Sequence, residues 1–97
     1  MKKTLQFPLI REFARGYLHQ DLLPEYGGVM QAANAYLRDL SDHERKQLAS
    51  EAQRMLSSIH RQSAAELNRQ LHTLGSSWTF ISTDEFSQVL RLFDRGH

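Results

Sequence analysis

Five histidines are the residues of this sequence with the most obvious potential for chemistry, because imidazole nitrogens bind zinc and transfer protons. They are His19, His43, His60, His72 and His97. A zinc site on a helix needs two ligands one turn apart, as in H-x-x-x-H, and a third ligand close by. No two of these histidines have that spacing, and the chain of 97 residues contains no cysteine. The sequence therefore predicts no metal site, no disulfide and no thiol nucleophile.

Serine and glycine patterns do not indicate catalysis either. Ser76-Ser77 follows a predicted helix end, whereas a nucleophile elbow needs G-x-S-x-G directly after a strand. Gly27-Gly28 precedes a predicted helix, as in a phosphate-binding loop, but it lacks the P-loop lysine and a turn explains the pair. We therefore expect a protein that is not an enzyme and needs no cofactor.

The spacing of apolar residues predicts helices along almost the whole chain. In five segments, apolar residues recur at intervals of three and four, which places them on one face of an α-helix. These stripes are Ile10, Phe13, Ala14 and Tyr17; Val29, Ala32, Ala33, Tyr36, Leu37 and Leu40; Leu48, Ala52, Met55, Leu56 and Ile59; Ala64, Leu67, Leu71 and Leu74; and Phe86, Val89, Leu90 and Phe93. Between the stripes, residues 18–28 and 75–83 are predicted to be connections.

Three S-x-x-E sequences, beginning at Ser41, Ser63 and Ser82, are typical of capping boxes at helix starts. With the stripes they predict an all-α fold, a single compact domain of about five helices over residues 1–97. In the last connection, we interpret Trp78, Phe80 and Ile81 as core residues. Trp78 with Phe80 could alternatively anchor an interface, since tryptophan is common at binding hot spots.

The N-terminus begins Met1-Lys2-Lys3, like a secretory signal peptide, but Gln6, Pro8, Arg11 and Glu12 interrupt the apolar stretch that should follow. No apolar run approaches the ~20 residues that a membrane span needs. We therefore expect a cytoplasmic protein without a membrane partner.

The net charge of +1 hides a strongly uneven distribution. The charge is +3 over residues 1–19, −4 over 20–44, +3 over 45–72 and −1 over 73–97. A total near zero gives no electrostatic reason to expect nucleic-acid binding, and the basic residues are not concentrated on one recognition helix. A small helical nucleic-acid-binding regulator stays open as the alternative function.

One stretch of the sequence is more specific than these patterns. Residues 7–28 read FPLIREFARGYLHQDLLPEYGG, and residues 30–39 read MQAANAYLRD. The G-Y-x-H-Q-D core and the following E-Y-G resemble the small CdiI-type immunity proteins of bacterial contact-dependent growth inhibition, over about the first 40 residues. This sequence departs from the family pattern at Leu22-Leu23, where a bulky aromatic residue is expected after H-Q-D. The motif residues are Tyr17, His19, Gln20, Asp21, Tyr26 and Gly27.

The resemblance implies a helical, non-enzymatic protein that binds the C-terminal toxin domain of a cognate cell-surface CdiA effector in the cytoplasm. Toxins of these systems are often nucleases, and a nuclease should present a positive surface to its substrate. An inhibitor that covers such a surface gains association rate and specificity from acidic side chains. We name residues 20–44, with their charge of −4, the acidic segment. We therefore expect toxin contacts from its acidic side chains, Asp21, Glu25, Asp39, Asp42 and Glu44.

The motif residues also have a possible structural role. A connection that contains proline and glycine must satisfy its own backbone polar groups, and a His-Gln-Asp sequence can do so through side-chain hydrogen bonds. His19 and Gln20 are therefore predicted either to hold the connection or to contact the toxin.

Overall fold

The computed structural model describes residues 7–95 of the chain. Met1-Lys2-Lys3 and His97, considered above, lie outside the described residues. Within that range the secondary structure is helical, and the prediction of an all-α fold is confirmed. The helices are α1 (Pro8–Tyr17), α2 (Leu22–Tyr26), α3 (Val29–Arg38), α4 (Asp42–Ile59), α5 (Ala64–Leu74) and α6 (Thr83–Arg95).

Five of these helices correspond to the five apolar stripes, and α2 is the additional one. It lies inside the segment that was predicted to be a connection. Pro24 is in its first turn, where a missing backbone N–H costs nothing, and Gly27 ends it with a φ of +89°. Only Leu22 of this helix is buried. A single buried residue gives no helical stripe, which is why the apolar spacing did not indicate α2.

Two of the predicted capping boxes are confirmed in full. The backbone N–H of Ser41 donates to Glu44 Oε1 over 2.9 Å, and the N–H of Glu44 donates to Ser41 Oγ over 3.2 Å. Ser63 and Glu66 form the same pair of bonds over 2.9 and 3.1 Å. These boxes satisfy backbone donors that a helix start leaves unpaired, and they set the first residues of α4 and α5.

The third S-x-x-E sequence lies at the start of α6, which begins directly after Ser82 as predicted. Here the Glu85 carboxylate accepts a hydrogen bond from the backbone N–H of Ile81 over 3.1 Å. Its partner therefore lies one residue before the predicted cap.

The segment before α6 has no regular secondary structure and is held to α5 by one buried side chain. The Asn68 amide donates to the Phe80 carbonyl and accepts from the Phe80 N–H, over 2.8 Å each. Phe80 is buried, as predicted, and Trp78 is half-buried. The prediction that Ile81 is a core residue is wrong, because its side chain is 87% exposed. Ile81 lies in a bend just before α6, and the core takes up Phe80 alone of the two.

The N-terminus of α1 is positioned by a buried carboxylate on α4. Glu51 is 1% exposed, and its Oε1 accepts hydrogen bonds from the backbone N–H groups of Leu9 and Ile10, over 3.0 Å each. A carboxylate is favourable at a helix N-terminus because of the helix dipole. Glu51 therefore caps α1 from another helix, while Phe7, the residue before α1, provides no side-chain cap. This contact fixes the position of α1, whose last residue is Tyr17.

Candidate functional site

Tyr17, the last residue of α1, lies between the two parts of the acidic segment. Its hydroxyl donates to Asp39 Oδ2 over 3.4 Å, and its ring centroid is 5.4 Å from that of Tyr26. Asp39 is the C-cap of α3 and Tyr26 is the last residue of α2. The fold thus places the ends of three helices around one tyrosine side chain.

The Tyr17 ring is supported from the core by other aromatic rings. It stacks on Phe13 at a centroid distance of 5.6 Å and contacts Tyr36 at 5.3 Å. Phe13 in turn meets Phe93 of α6 edge-on at 5.2 Å. Aromatic pairs at such distances are favourable beyond the area they bury. These ring contacts from the core hold the Tyr17 side chain in place. Its hydroxyl is thereby positioned for the hydrogen bond to Asp39.

The acidic residues of the connection and of α2 are available at the surface. Asp21 and Glu25 are both exposed, at the start and in the first turn of α2. Glu25 precedes Tyr26, whose ring contacts Tyr17. Asp39 therefore contacts the Tyr17–Tyr26 pair through the Tyr17 hydroxyl, and Glu25 adjoins the pair in sequence.

The acidic residues at the start of α4 are less available. The Asp42 side chain is 96% exposed, but its Oδ1 lies 3.4 Å from Nη1 of Arg45. Glu44 is half-buried and is engaged in the capping box with Ser41. We name the exposed carboxylates of Asp21, Glu25, Asp39 and Asp42 the acidic surface, and Glu44 lies at its edge.

Among the motif residues, His19 connects the end of α1 to the start of α2. Its Nε2 lies 2.9 Å from the Gly16 carbonyl oxygen, and its Nδ1 accepts from the backbone N–H of Asp21 over 3.2 Å. A neutral imidazole has one donor and one acceptor nitrogen, so Nε2 carries the proton in this arrangement. His19 therefore orients the backbone at Asp21, while Gln20 is exposed.

The electrostatics of the site keep Tyr17 neutral. Partial burial, then the negative charge of Asp39, then Tyr26, raise the pKa of the Tyr17 phenol above its ordinary value. Tyr36, predicted to be a core residue, is buried. Burial and the nearby Glu12 carboxylate also raise the pKa of Tyr36, and its hydroxyl donates to the Leu9 carbonyl over 2.7 Å. Both tyrosines act as hydrogen-bond donors that fix α1 against α3.

The sequence did not indicate Glu51 or the contact between Tyr17 and Asp39. A signal for Glu51 is present, because it falls three residues after Leu48 on the apolar stripe of α4, where a charge needs a buried partner. Nothing in the spacing of Tyr17 and Asp39 indicates their contact, which depends on how α1 crosses α3.

Within residues 7–95, no three or more histidines, aspartates or glutamates are grouped so that they could hold a metal ion. No helix in the same range combines the length and the apolar character needed to cross a membrane.

Comparison with protein families extends the resemblance noted in the sequence. A family model described as CdiI immunity protein matches residues 6–80, well beyond the first 40 residues. The match includes the whole Tyr17 site, the acidic surface and helices α1 to α5. No curated protein and no solved structure is significantly similar to the chain. The chain belongs to the family of CdiI immunity proteins, the toxin inhibitors of contact-dependent growth inhibition.

Proposed function

We propose that this immunity protein neutralises a nuclease toxin, the C-terminal domain of a cognate CdiA effector, by stoichiometric binding in the cytoplasm. The acidic surface docks on the positive surface with which the toxin binds its nucleic-acid substrate. The bound inhibitor then covers the active site or the path of the substrate. Inhibition needs no cofactor and no chemical step by the immunity protein.

The observation that supports the proposal is the Asp39 carboxylate held at the Tyr17 hydroxyl, in a segment of the chain with a charge of −4. Asp39 accepts a hydrogen bond from the Tyr17 hydroxyl, and the exposed Glu25 precedes Tyr26, whose ring contacts that of Tyr17. A carboxylate that is already held in place loses less conformational freedom when it pairs with a cation of the partner. The geometry therefore favours Asp39 as a fixed centre, with Asp21, Glu25 and Asp42 as exposed charges around it.

The expected sequence of events follows from the range of these forces. Exposed charges act over about one Debye length, ~8 Å at physiological ionic strength, and steer two proteins together before they touch. Short-range contacts then form, in which Tyr26 and Tyr17 offer amphipathic rings of the kind that is common at hot spots. The charges thus set the association rate, and the rings contribute to the lifetime of the complex.

The proposal is tested by rescue of growth and by co-purification with the C-terminal toxin domain of the cognate CdiA effector. We expect the wild-type chain to protect cells and to form an equimolar complex. Glu25→Lys combined with Asp39→Lys should lose protection while the protein stays folded.

A control for the Glu25→Lys half of the double variant is Asp84→Lys, because Asp84 is also an exposed acidic residue in the first turn of a helix. It changes the charge as much as Glu25→Lys does, and it should protect like wild type. Full protection by the double variant would contradict the proposed surface. Tight binding of the isolated chain to tRNA or duplex DNA at physiological salt would instead favour a nucleic-acid-binding regulator.

A further inference from the structure

A groove runs along α6, between that helix and the start of α3. Its first part has a volume of about 400 Å³ and is lined by apolar side chains that include Leu23, Val29 and Trp78. Its second part, of about 440 Å³, is lined by the charged side chains of Arg91, Asp94 and Arg95. Met30 and Gln88 line both parts, so that the two form one continuous groove.

The apolar part of the groove has a fixed wall. The hydroxyl of Ser76 accepts from the backbone N–H of Trp78 over 3.0 Å, and the N–H of Ser77 donates to the Leu18 carbonyl over 2.9 Å. These bonds hold the half-buried indole against the start of α2. Leu23 beside it is 54% exposed. Apolar area that remains accessible on a rigid wall is typical of a contact surface.

Opposite charges lie at the two ends of this groove, on one face of α6. Glu85 lines the apolar part, and Arg91, Asp94 and Arg95 line the charged part, which keeps a net positive charge. Glu85 and Arg95 are ten residues apart, which corresponds to about 15 Å along a helix. The ion pair between Arg45 and Asp42 lies outside the groove. Asp94, the acidic residue of the charged part, accepts a hydrogen bond from Gln53 over 2.7 Å, and neither Arg91 nor Arg95 forms an ion pair with a described residue.

We propose that this groove binds a second copy of the chain, with the two α6 helices antiparallel across a two-fold axis. Such an axis near the middle of α6 places Glu85 of one copy opposite Arg95 of the other, and the same pair forms again at the other end. An interface with two-fold symmetry requires this kind of self-complementary pattern. Met30 and Gln88, in the middle of the groove, lie close to the axis.

The same geometry covers the apolar wall. The C-terminal half of α6 from the second copy lies over the indole of Trp78, where the aliphatic part of an arginine buries apolar surface. Its guanidinium then reaches the Glu85 carboxylate and the indole face together. A basic toxin surface fits this groove less well, since Arg91 and Arg95 would repel it. The inference therefore does not depend on the proposed function.

The test is sedimentation equilibrium of the full chain over a roughly hundredfold range of concentration, where mass action separates dimer from monomer. We expect the wild type to form dimers. Glu85→Lys brings like charges together at both ends, and so does Arg91→Glu combined with Arg95→Glu. Each variant should weaken the dimer about tenfold or more. An equimolar mixture of the two variants should dimerise again, because every facing pair is then of opposite charge.

A matched control is Arg61→Glu combined with Arg69→Glu, which makes the same charge change at exposed positions outside the groove. It should dimerise like wild type, and circular dichroism checks that all variants stay folded. A wild type that is monomeric throughout would overturn the inference, as would a mixture that remains monomeric. If Met30→Glu weakens toxin binding and leaves the oligomeric state unchanged, the groove belongs to the toxin interface and the inference is wrong.

Discussion

Buried polar side chains and exposed carboxylates play opposite parts in this molecule. Glu51 and Asn68 are buried, and each forms hydrogen bonds to backbone groups of a segment distant in sequence. Asp21 and Glu25 are exposed, and their carboxylates face water. Burial with specific partners makes a polar side chain part of the fold, whereas exposure leaves a charge available for a second molecule. Substitutions in the two groups should therefore separate stability from binding.

The largest effect is expected from Glu51→Ala. It leaves the N–H groups of Leu9 and Ile10 buried without an acceptor and should lower the free energy of unfolding by about 3 kcal/mol. Urea denaturation followed by circular dichroism measures the loss. Ser50→Ala, at an exposed neighbouring position of α4, is the control and should have little effect. A loss no larger than that of the control would mean that Glu51 does not hold α1.

Asn68→Ala should have the next largest effect. The buried backbone of Phe80 would lose both partners, which corresponds to about 2 kcal/mol, and the segment that carries Trp78 should loosen. Hydrogen exchange at the Phe80 amide measures this directly, with Asn34→Ala on the exposed side of α3 as the control. Unchanged protection of that amide would contradict the account.

His19→Ala tests an intermediate case, because His19 is partly exposed and also forms hydrogen bonds to the backbone. The loss of its bonds to Gly16 and to the Asp21 backbone should destabilise the protein by about 1 kcal/mol. Because the backbone at Asp21 is then less ordered, toxin affinity should fall by a small factor as well. Thermal unfolding together with a binding titration distinguishes the two readings. Lost binding at wild-type stability would indicate that His19 contacts the toxin directly.

The smallest effect on stability is expected from Asp39→Asn, within ~0.5 kcal/mol at neutral pH, because a long, exposed hydrogen bond such as that of 3.4 Å from Tyr17 contributes little. The substitution should lower the pKa of Tyr17 but not restore its ordinary value, since burial is the larger cause of the increase. NMR titration of the Tyr17 ring measures this change. An unaltered pKa would mean that the contact with Asp39 is not formed in solution.

The sign of the alkaline effect follows from linkage. The pKa of Tyr17 is higher in the folded protein than in the unfolded chain, so the folded state holds this proton more tightly. The associated stability is present below about pH 10 and is lost as the pH rises through the folded-state pKa. The Asp39→Asn variant should lose less stability than wild type over this alkaline range.

The sequence predicted those parts of the fold that depend on neighbours along the chain. The five stripes and the capping boxes at Ser41 and Ser63 need only residues three or four apart. The helix α2 was missed, because only Leu22 marks its buried side. Ile81 was predicted to be in the core but is exposed. The position of this segment is set by the hydrogen bonds between Asn68 and Phe80, which are twelve residues apart.

For the candidate site, too, the sequence predicted the local features and missed the contacts between distant residues. The motif and the charge count indicated the acidic residues but not their arrangement. That Asp39 meets Tyr17 depends on the crossing of α1 and α3, and Glu51 orients α1 from α4. Such contacts arise from tertiary packing, which has no local pattern in the sequence.

The most direct test of the central claim is the association rate between this chain and its cognate toxin domain, measured over a series of salt concentrations. We expect a fast rate at low salt that falls as salt is added. Glu25→Lys combined with Asp39→Lys should slow association about tenfold or more at low salt and remove most of the salt dependence, while Asp84→Lys should leave both nearly unchanged. Equal rates for the wild type and the double variant at low salt would contradict the account.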